Sequence, residues 1–238
     1  MVVTMLLAHL VGDYILQWDN LAQWKNRELK GVLAHGLIIL LVTWAFSLPL
    51  DTHWWPWVLS IGLSHTAIDA IPLWLGKRVP LQGAGMFALA RFLVDQTLHT
   101  SVIVIALIAS GHAALPSLAA DLGTRLRHQR EMAFLLGYVF ITMPAWILIE
   151  FAVYGLVKGC APDFSQANNN KYIGILERGL ITTFVVLGQF VLVPVVSLPR
   201  LIFEAPEVRA NQQSTFYVAE LLASVTLAVA IGLLLRML

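Results

Sequence analysis

The sequence predicts an all-α protein, a polytopic transmembrane helical bundle of about seven spans with one interfacial amphipathic helix. Two observations carry that prediction. Of 238 residues, 58% are hydrophobic and only 12% charged, where a soluble domain carries about 25% charge. The apolar residues also come in blocks of roughly twenty, the length a helix needs to cross about 30 Å of hydrocarbon. A membrane β-barrel would alternate in short segments instead. A net charge of +1 with scattered basic residues leaves no nucleic-acid footprint. The single Cys160 excludes an intrachain disulfide and any multi-cysteine metal site.

Segment one runs from about Val2 to Gln17, where His9 and Asp13 interrupt the apolar run and set it apart from an ordinary signal peptide. A polar stretch with Lys25, Arg27 and Lys30 follows. Segment two covers about Gly31 to Leu48. Segment three, about Trp54 to Leu75, opens on Trp54, Trp55 and Trp57, which suit an interfacial aromatic belt, and closes on Lys77 and Arg78. Segment four covers about Met86 to Ser110 and starts near Arg91. Leu115, Leu118, Leu122 and Leu126 then form one stripe of an interfacial helix. Segments five (about Met132 to Val157, with Glu150), six (about Ile175 to Leu198) and seven (about Phe216 to Leu235, with Glu220) complete the chain. The expected organisation is a four-span bundle over residues 1–110, the interfacial helix over 111–131 and three spans over 132–238, in one integrated membrane domain. The positive-inside rule puts the N-terminus outside, with Lys25, Arg27, Lys30, Lys77, Arg78, Arg91, Lys158, Lys171, Arg178 and Arg236 cytoplasmic. Arg125, Arg127, Arg130, Arg200 and Arg209 fall outside.

Three pairs of ionisable residues lie inside these apolar runs: His9 with Asp13, His65 with Asp69, and Asp95 with His99. A separation of four residues puts both members of a pair on one helix face, about 40° apart around the axis and roughly 6 Å apart along it. Ionisable groups are costly in a bilayer and mark sites there. In the predicted orientation every carboxylate lies nearer the cytoplasm than its imidazole, and His35 falls at carboxylate depth. Four neighbouring helices thus bring His9, Asp13, His35, His65, Asp69, Asp95 and His99 into one layer of the bundle core, where metal sites are built. Gln17 and Gln96 are placed to orient these ligands through hydrogen bonds. Such a set of N and O donors suits one or two divalent transition metal ions, Zn, Mn or Fe.

Asp13 and Asp95 are the candidate catalytic carboxylates, with Asp13, nearest the water, as general base. Lys25, Arg27, Lys77, Arg78 and Arg91 ring the cytoplasmic mouth and attract an anionic head group. A single His–Asp pair also reads as an interhelical hydrogen bond, and a proton or cation pathway uses the same residue types.

HLVGDYILQ at the start, His35-Gly36, HTAID at His65 to Asp69 and DQTLH at Asp95 to His99 resemble the bacterial membrane family called domain of unknown function 3307. YIGILER (Tyr172 to Arg178), SLPRLIFE and FYVAELLAS extend the resemblance, although Glu220-Leu221 departs from the family's Gly-Thr. The resemblance groups the His, Asp and Gln positions and implies no reaction. Three functions follow as expectations. The first is a bacterial inner-membrane metalloenzyme, a hydrolase or transferase acting from the cytoplasmic side on a lipid or other membrane-borne anionic substrate. The second is a transporter or channel for protons or metal cations. The third is a structural subunit of a membrane complex.

Overall fold

A computed structural model describes residues 1–75, 85–114, 122–164, 170–210 and 214–238. Among these residues every regular element is helical and none is a strand. The order is α1 (Val2–Leu10), running directly into a π-helical turn (Val11–Ile15), then α2 (Asp19–Lys25), α3 (Leu29–Ser47), α4 (Trp55–Leu75) and α5 (Gly85–Ala109). Next come α6 (Leu122–His128), α7 (Arg130–Phe140) and α8 (Met143–Val153), which runs into a second π-helical turn (Tyr154–Lys158). The chain ends with α9 (Asn170–Val186), α10 (Leu192–Ala210) and α11 (Ser214–Arg236).

The expected seven spans are not supported. Among the described residues three helices are long and apolar enough to cross a membrane, Leu29–Ser47, Gly85–Ala109 and Thr215–Arg236. The pair Arg130–Phe140 and Met143–Lys158 makes a fourth if its 44° bend lies within one span. The reasons for the shortfall are local. Val2–Ile15 is too short at 1.5 Å per residue. The 21 residues of α4 are long enough, but His65, Asp69, Ser60 and Ser64 dilute its apolar character. Segment six is interrupted between α9 and α10, where Gly188 adopts φ +76°, a conformation that glycine takes without steric cost. Of the expected interfacial helix only Leu122–His128 is seen; Leu115 and Leu118 lie outside the described residues.

The chain divides into two compact units, Met1–Pro80 with Leu93–Val139, and Leu81–Phe92 with Phe140–Leu238. In the first unit, Val2 and Met5 of α1, Val58 and Ile61 of α4, and Ile103, Ala106 and Leu107 of α5 form an apolar core with Trp54. One turn further along each helix stand His9, His65 and His99, and one turn beyond those stand Asp13, Asp69 and Asp95. The ionisable layer therefore begins where this core ends. Helix α3 sorts its residues by face: Leu33, Leu37, Leu41 and Trp44 are exposed, while His35, Ile39, Val42 and Thr43 are buried. That is the pattern of a helix with one side towards lipid and its polar groups turned inward.

The second unit buries charges that the positive-inside reading had counted at the ends of the spans. Arg178 of α9 donates from Nε to the Ile141 carbonyl (2.7 Å) and from Nη2 to the Thr142 carbonyl (3.2 Å). These carbonyls lie at the break between α7 and α8, where the Thr142 carbonyl also accepts from the Trp146 amide (3.2 Å). Arg200 of α10 donates to Glu177 (3.2 Å) and Glu220 (2.6 Å). Lys171, Arg178 and Arg200 are all buried, so they do not serve as the loop charges counted in the positive-inside reading.

Close helix packing in the first unit depends on Gly36. A Cβ there would overlap Thr66 Oγ1 on α4, a hydroxyl already held by the Gly62 carbonyl at 2.8 Å. Gly36→Ala is expected to cost about 1–3 kcal/mol through overpacking, read as a lower thermal midpoint in detergent. Adding Thr66→Ala should restore most of it. Gly123→Ala, in a helix and with nothing within 4 Å, should not lower the midpoint.

Candidate metal centre

The site is built from local departures from regular helix. The π-helical turn after α1 is closed by the Leu16 amide on the Val11 carbonyl at 2.9 Å, five residues back. Such turns insert an extra residue and re-aim side chains, often at functional sites. Gly12 within the turn lies against Ile39 of α3, whose Cδ1 would be 2.7 Å from a Cβ at that position. The close approach carries Asp13 to His35.

Four side-chain atoms converge there. His35 Nε2 lies 3.1 Å from Asp13 Oδ1, 3.2 Å from His65 Nε2 and 3.6 Å from Asp69 Oδ2. His65 Nε2 lies 3.3 Å from Asp69 Oδ2 and 3.7 Å from Asp13 Oδ1. All four residues are buried, His35 completely. Ligand atoms held about 2.0–2.1 Å from a tetrahedral ion are about 3.3–3.4 Å apart, and the separations of 3.1–3.7 Å are of that size within two triangles that share His35 and His65, one completed by Asp13 and the other by Asp69. These buried His and Asp groups can hold a metal ion, as Asp13–His35–His65 and as His65–Asp69–His99.

The remaining imidazoles stand beside this set. The His99 ring is 4.0 Å from that of His65, centroid to centroid, and the His9 ring is 5.9 Å from both. The three line a cavity of about 10 Å³, together with Ile39, Thr43, Ile61, Val102 and Ile103. His99 Nε2 lies 3.8 Å from Asp69 Oδ1. Asp95 does not join the converging atoms. Its side chain is 35% exposed and faces His99 Nδ1 at 3.6 Å, so it stands behind that imidazole. Gln96 donates to Asp13 Oδ2 and to Asp95 Oδ2, both at 3.2 Å. Gln17 Oε1 is buried with no hydrogen-bond partner among the described residues.

The basic residues divide differently from the sequence expectation. Lys25, expected at the mouth, reaches into the layer: Nζ donates to Asp69 Oδ1 (3.0 Å) and Oδ2 (3.1 Å) and lies 3.9 Å from Asp13 Oδ1. Burial alone would lower its pKa, but the Asp13 and Asp69 carboxylates outweigh burial and raise it above the usual lysine value. No sequence signal marked this role, because the reach depends on where α2 docks. Arg27, Lys30 and Arg91 are exposed, while Lys77 and Arg78 lie outside the described residues.

The family model described as a protein of unknown function (DUF3307) matches residues 1–122, about half of the chain. The chain belongs to the DUF3307 family. The matched region contains every residue of the His/Asp layer together with Lys25 and Gln96. No curated protein and no solved structure matches this DUF3307 chain.

Lys25→Met leaves two buried carboxylates without their ammonium. Breaking a buried pair in this way costs about 3–5 kcal/mol, and the metal-free variant should unfold at a lower temperature than the metal-free parent. The raised lysine pKa fixes the sign of the pH dependence. The stabilisation should be complete below the ordinary lysine value of 10.5 and lost as pH rises above it. Melting curves of parent and variant across that range check both statements.

Proposed function

We propose that the protein is an integral membrane metalloprotein of the bacterial inner membrane. The reading makes it a hydrolase or transferase acting on a lipid or other membrane-borne anionic substrate from the cytoplasmic side. One observation carries it. His35 Nε2 has three partners within 3.6 Å, Asp13 Oδ1, His65 Nε2 and Asp69 Oδ2. A single N–H cannot donate to all three, whereas a cation bound beside His35 and His65 would take a lone pair from both imidazoles and from Asp13.

Asp13, His35, His65 and Asp69 would hold the ion. Two imidazoles and two carboxylates without thiolate suit Zn, with Mn or Fe as further candidates. When bound, such an ion polarises a phosphoryl or carbonyl oxygen and lowers the pKa of a water towards 7. Asp13 and Asp69 offset the two positive charges of a divalent ion, which leaves the Lys25 ammonium in excess and the site attractive to an anion. The exposed Arg27 and Arg91 add to that attraction at the surface.

The geometry shifts the role of general base. Asp13 is 5% exposed, its Oδ1 stands 3.1 Å from His35 Nε2 and its Oδ2 accepts from Gln96, so it is better suited to holding the ion. Asp95, 35% exposed and 3.6 Å from His99 Nδ1, is then the candidate base of the two carboxylates. Gln96 and the Asp95 carboxylate orient the layer through hydrogen bonds.

Cation transport through the same layer is the second reading. It is favoured by the buried imidazoles and carboxylates themselves, since proton and cation pathways use the same residue types. Metal flux into proteoliposomes separates it from an enzyme, which needs access from one side only.

The test is metal content. Protein purified with Zn, Mn or Fe supplied and then washed free of loosely held metal should carry at least one equivalent per chain. His35→Ala should lose that ion and with it thermal stability, about 4 kcal/mol if the free metal stood at a thousand times its dissociation constant. Far less than one equivalent in the parent protein overturns the reading.

A further inference from the structure

Two imidazoles of the layer take no part in the four-atom set. His9 is 5% exposed and its Nε2 is buried with no hydrogen-bond partner among the described residues. His99 is 2% exposed and its Nε2 is likewise buried and without a hydrogen bond. A buried polar atom left unpaired costs about 1–3 kcal/mol, and two in one layer call for a common cause. His99 also shows which of its nitrogens is available. Its Nδ1 lies 3.0 Å from the Asp95 backbone carbonyl, an acceptor only, so Nδ1 carries the proton and Nε2 the lone pair. That is how metal-ligating histidines are commonly fixed, with one nitrogen donating to a carbonyl and the other free for the ion.

The free atom faces a carboxylate oxygen that the first set does not use. Asp69 presents Oδ2 to His35 and His65, while its Oδ1 lies 3.8 Å from His99 Nε2. His9, His65 and His99 together line the cavity of about 10 Å³, about the room that one water-sized occupant needs. His65 belongs to both candidate groups, but its Nε2 has one lone pair and serves one ion. The second group then keeps His99 and the outer oxygen of Asp69, and His9, which lines the same cavity as His99, is the imidazole that remains for a third ligand.

We propose that the layer binds a second divalent cation through His9 Nε2, His99 Nε2 and Asp69 Oδ1, with Asp69 bridging the two ions. The proposal rests on the reading of the first site given above. Lys25 Nζ lies 3.0 Å from the same Asp69 Oδ1 and competes for it. The second ion therefore binds more weakly than the first, and the two load in sequence.

The experiment is equilibrium dialysis of the full chain in detergent, stripped with chelator and then titrated with Zn²⁺. The parent should saturate at two ions per chain in two steps. His9→Ala and His99→Ala should each saturate at one and keep the tighter step, which also reports that the layer is folded. His35→Ala should lose the tighter step. A parent that saturates at one ion, or both His9→Ala and His99→Ala saturating at two, overturns the second site and leaves the first standing. A parent that binds no ion overturns the first reading instead.

Discussion

Two carboxylates buried in a membrane protein, Asp13 and Asp69, set the terms for everything around them. Moving an ion of that size out of water costs several kcal/mol even after the protein relaxes. The cost must be met by positive charge and hydrogen bonds nearby. Lys25 meets part of it with contacts of 3.0 and 3.1 Å to Asp69. Gln96 contributes a hydrogen bond to Asp13 at 3.2 Å. Four imidazoles complete the surroundings. In a soluble protein water could screen such a cluster, but an apolar core on one side and lipid-facing leucines on α3 leave it to the side chains themselves.

The rest of the first unit serves that layer. Three helices step through the same sequence at four-residue intervals: an apolar core residue, then a histidine, then an aspartate. Met5, His9 and Asp13 make the series on α1, and Ile61, His65 and Asp69 make it on α4. On α5 it runs backwards, through Ile103, His99 and Asp95, as an antiparallel neighbour requires. Helix α3 supplies His35 and reaches the layer because Gly12 and Gly36 remove the side chains that would hold α1 and α4 away. Small residues at such contacts are the usual means by which membrane helices approach closely.

This repetition was legible in the sequence because helical periodicity fixes which residues share a face, whatever the tertiary structure. Spacing paired His9 with Asp13, His65 with Asp69 and Asp95 with His99, depth added His35, and all of these except Asp95 are buried. Features that break periodicity were not legible. The π-helical turn at Val11–Ile15, the break at Ile141–Thr142 and the interruption at Gly188 lie inside apolar runs, and hydropathy reads straight through them. Part of the expectation of seven spans arose in that way, at segments five and six. Charge was misread for a related reason: an arginine near the end of an apolar run looks like a loop residue. Arg178 instead caps the carbonyls of a broken helix, and Arg200 pairs with two glutamates. The inward reach of Lys25 depends on the docking of α2 and leaves no trace in spacing. Asp95 has the same spacing to its histidine as the other aspartates, yet it reaches solvent, since spacing gives the face and not the depth of burial.

Whether the layer is a metal centre or a hydrogen-bonded lock turns on what lies between His35 Nε2 and His65 Nε2, 3.2 Å apart. A lock requires one of the two nitrogens to carry the hydrogen that joins them. A metal centre requires both to present lone pairs to a shared ion. Anomalous scattering from a crystal of the protein loaded with zinc, collected on both sides of the metal's absorption edge, distinguishes them directly. A metal centre gives an edge-dependent peak about 2.0–2.1 Å from both nitrogens. No anomalous density there, with the two imidazoles joined by a hydrogen bond, would contradict it.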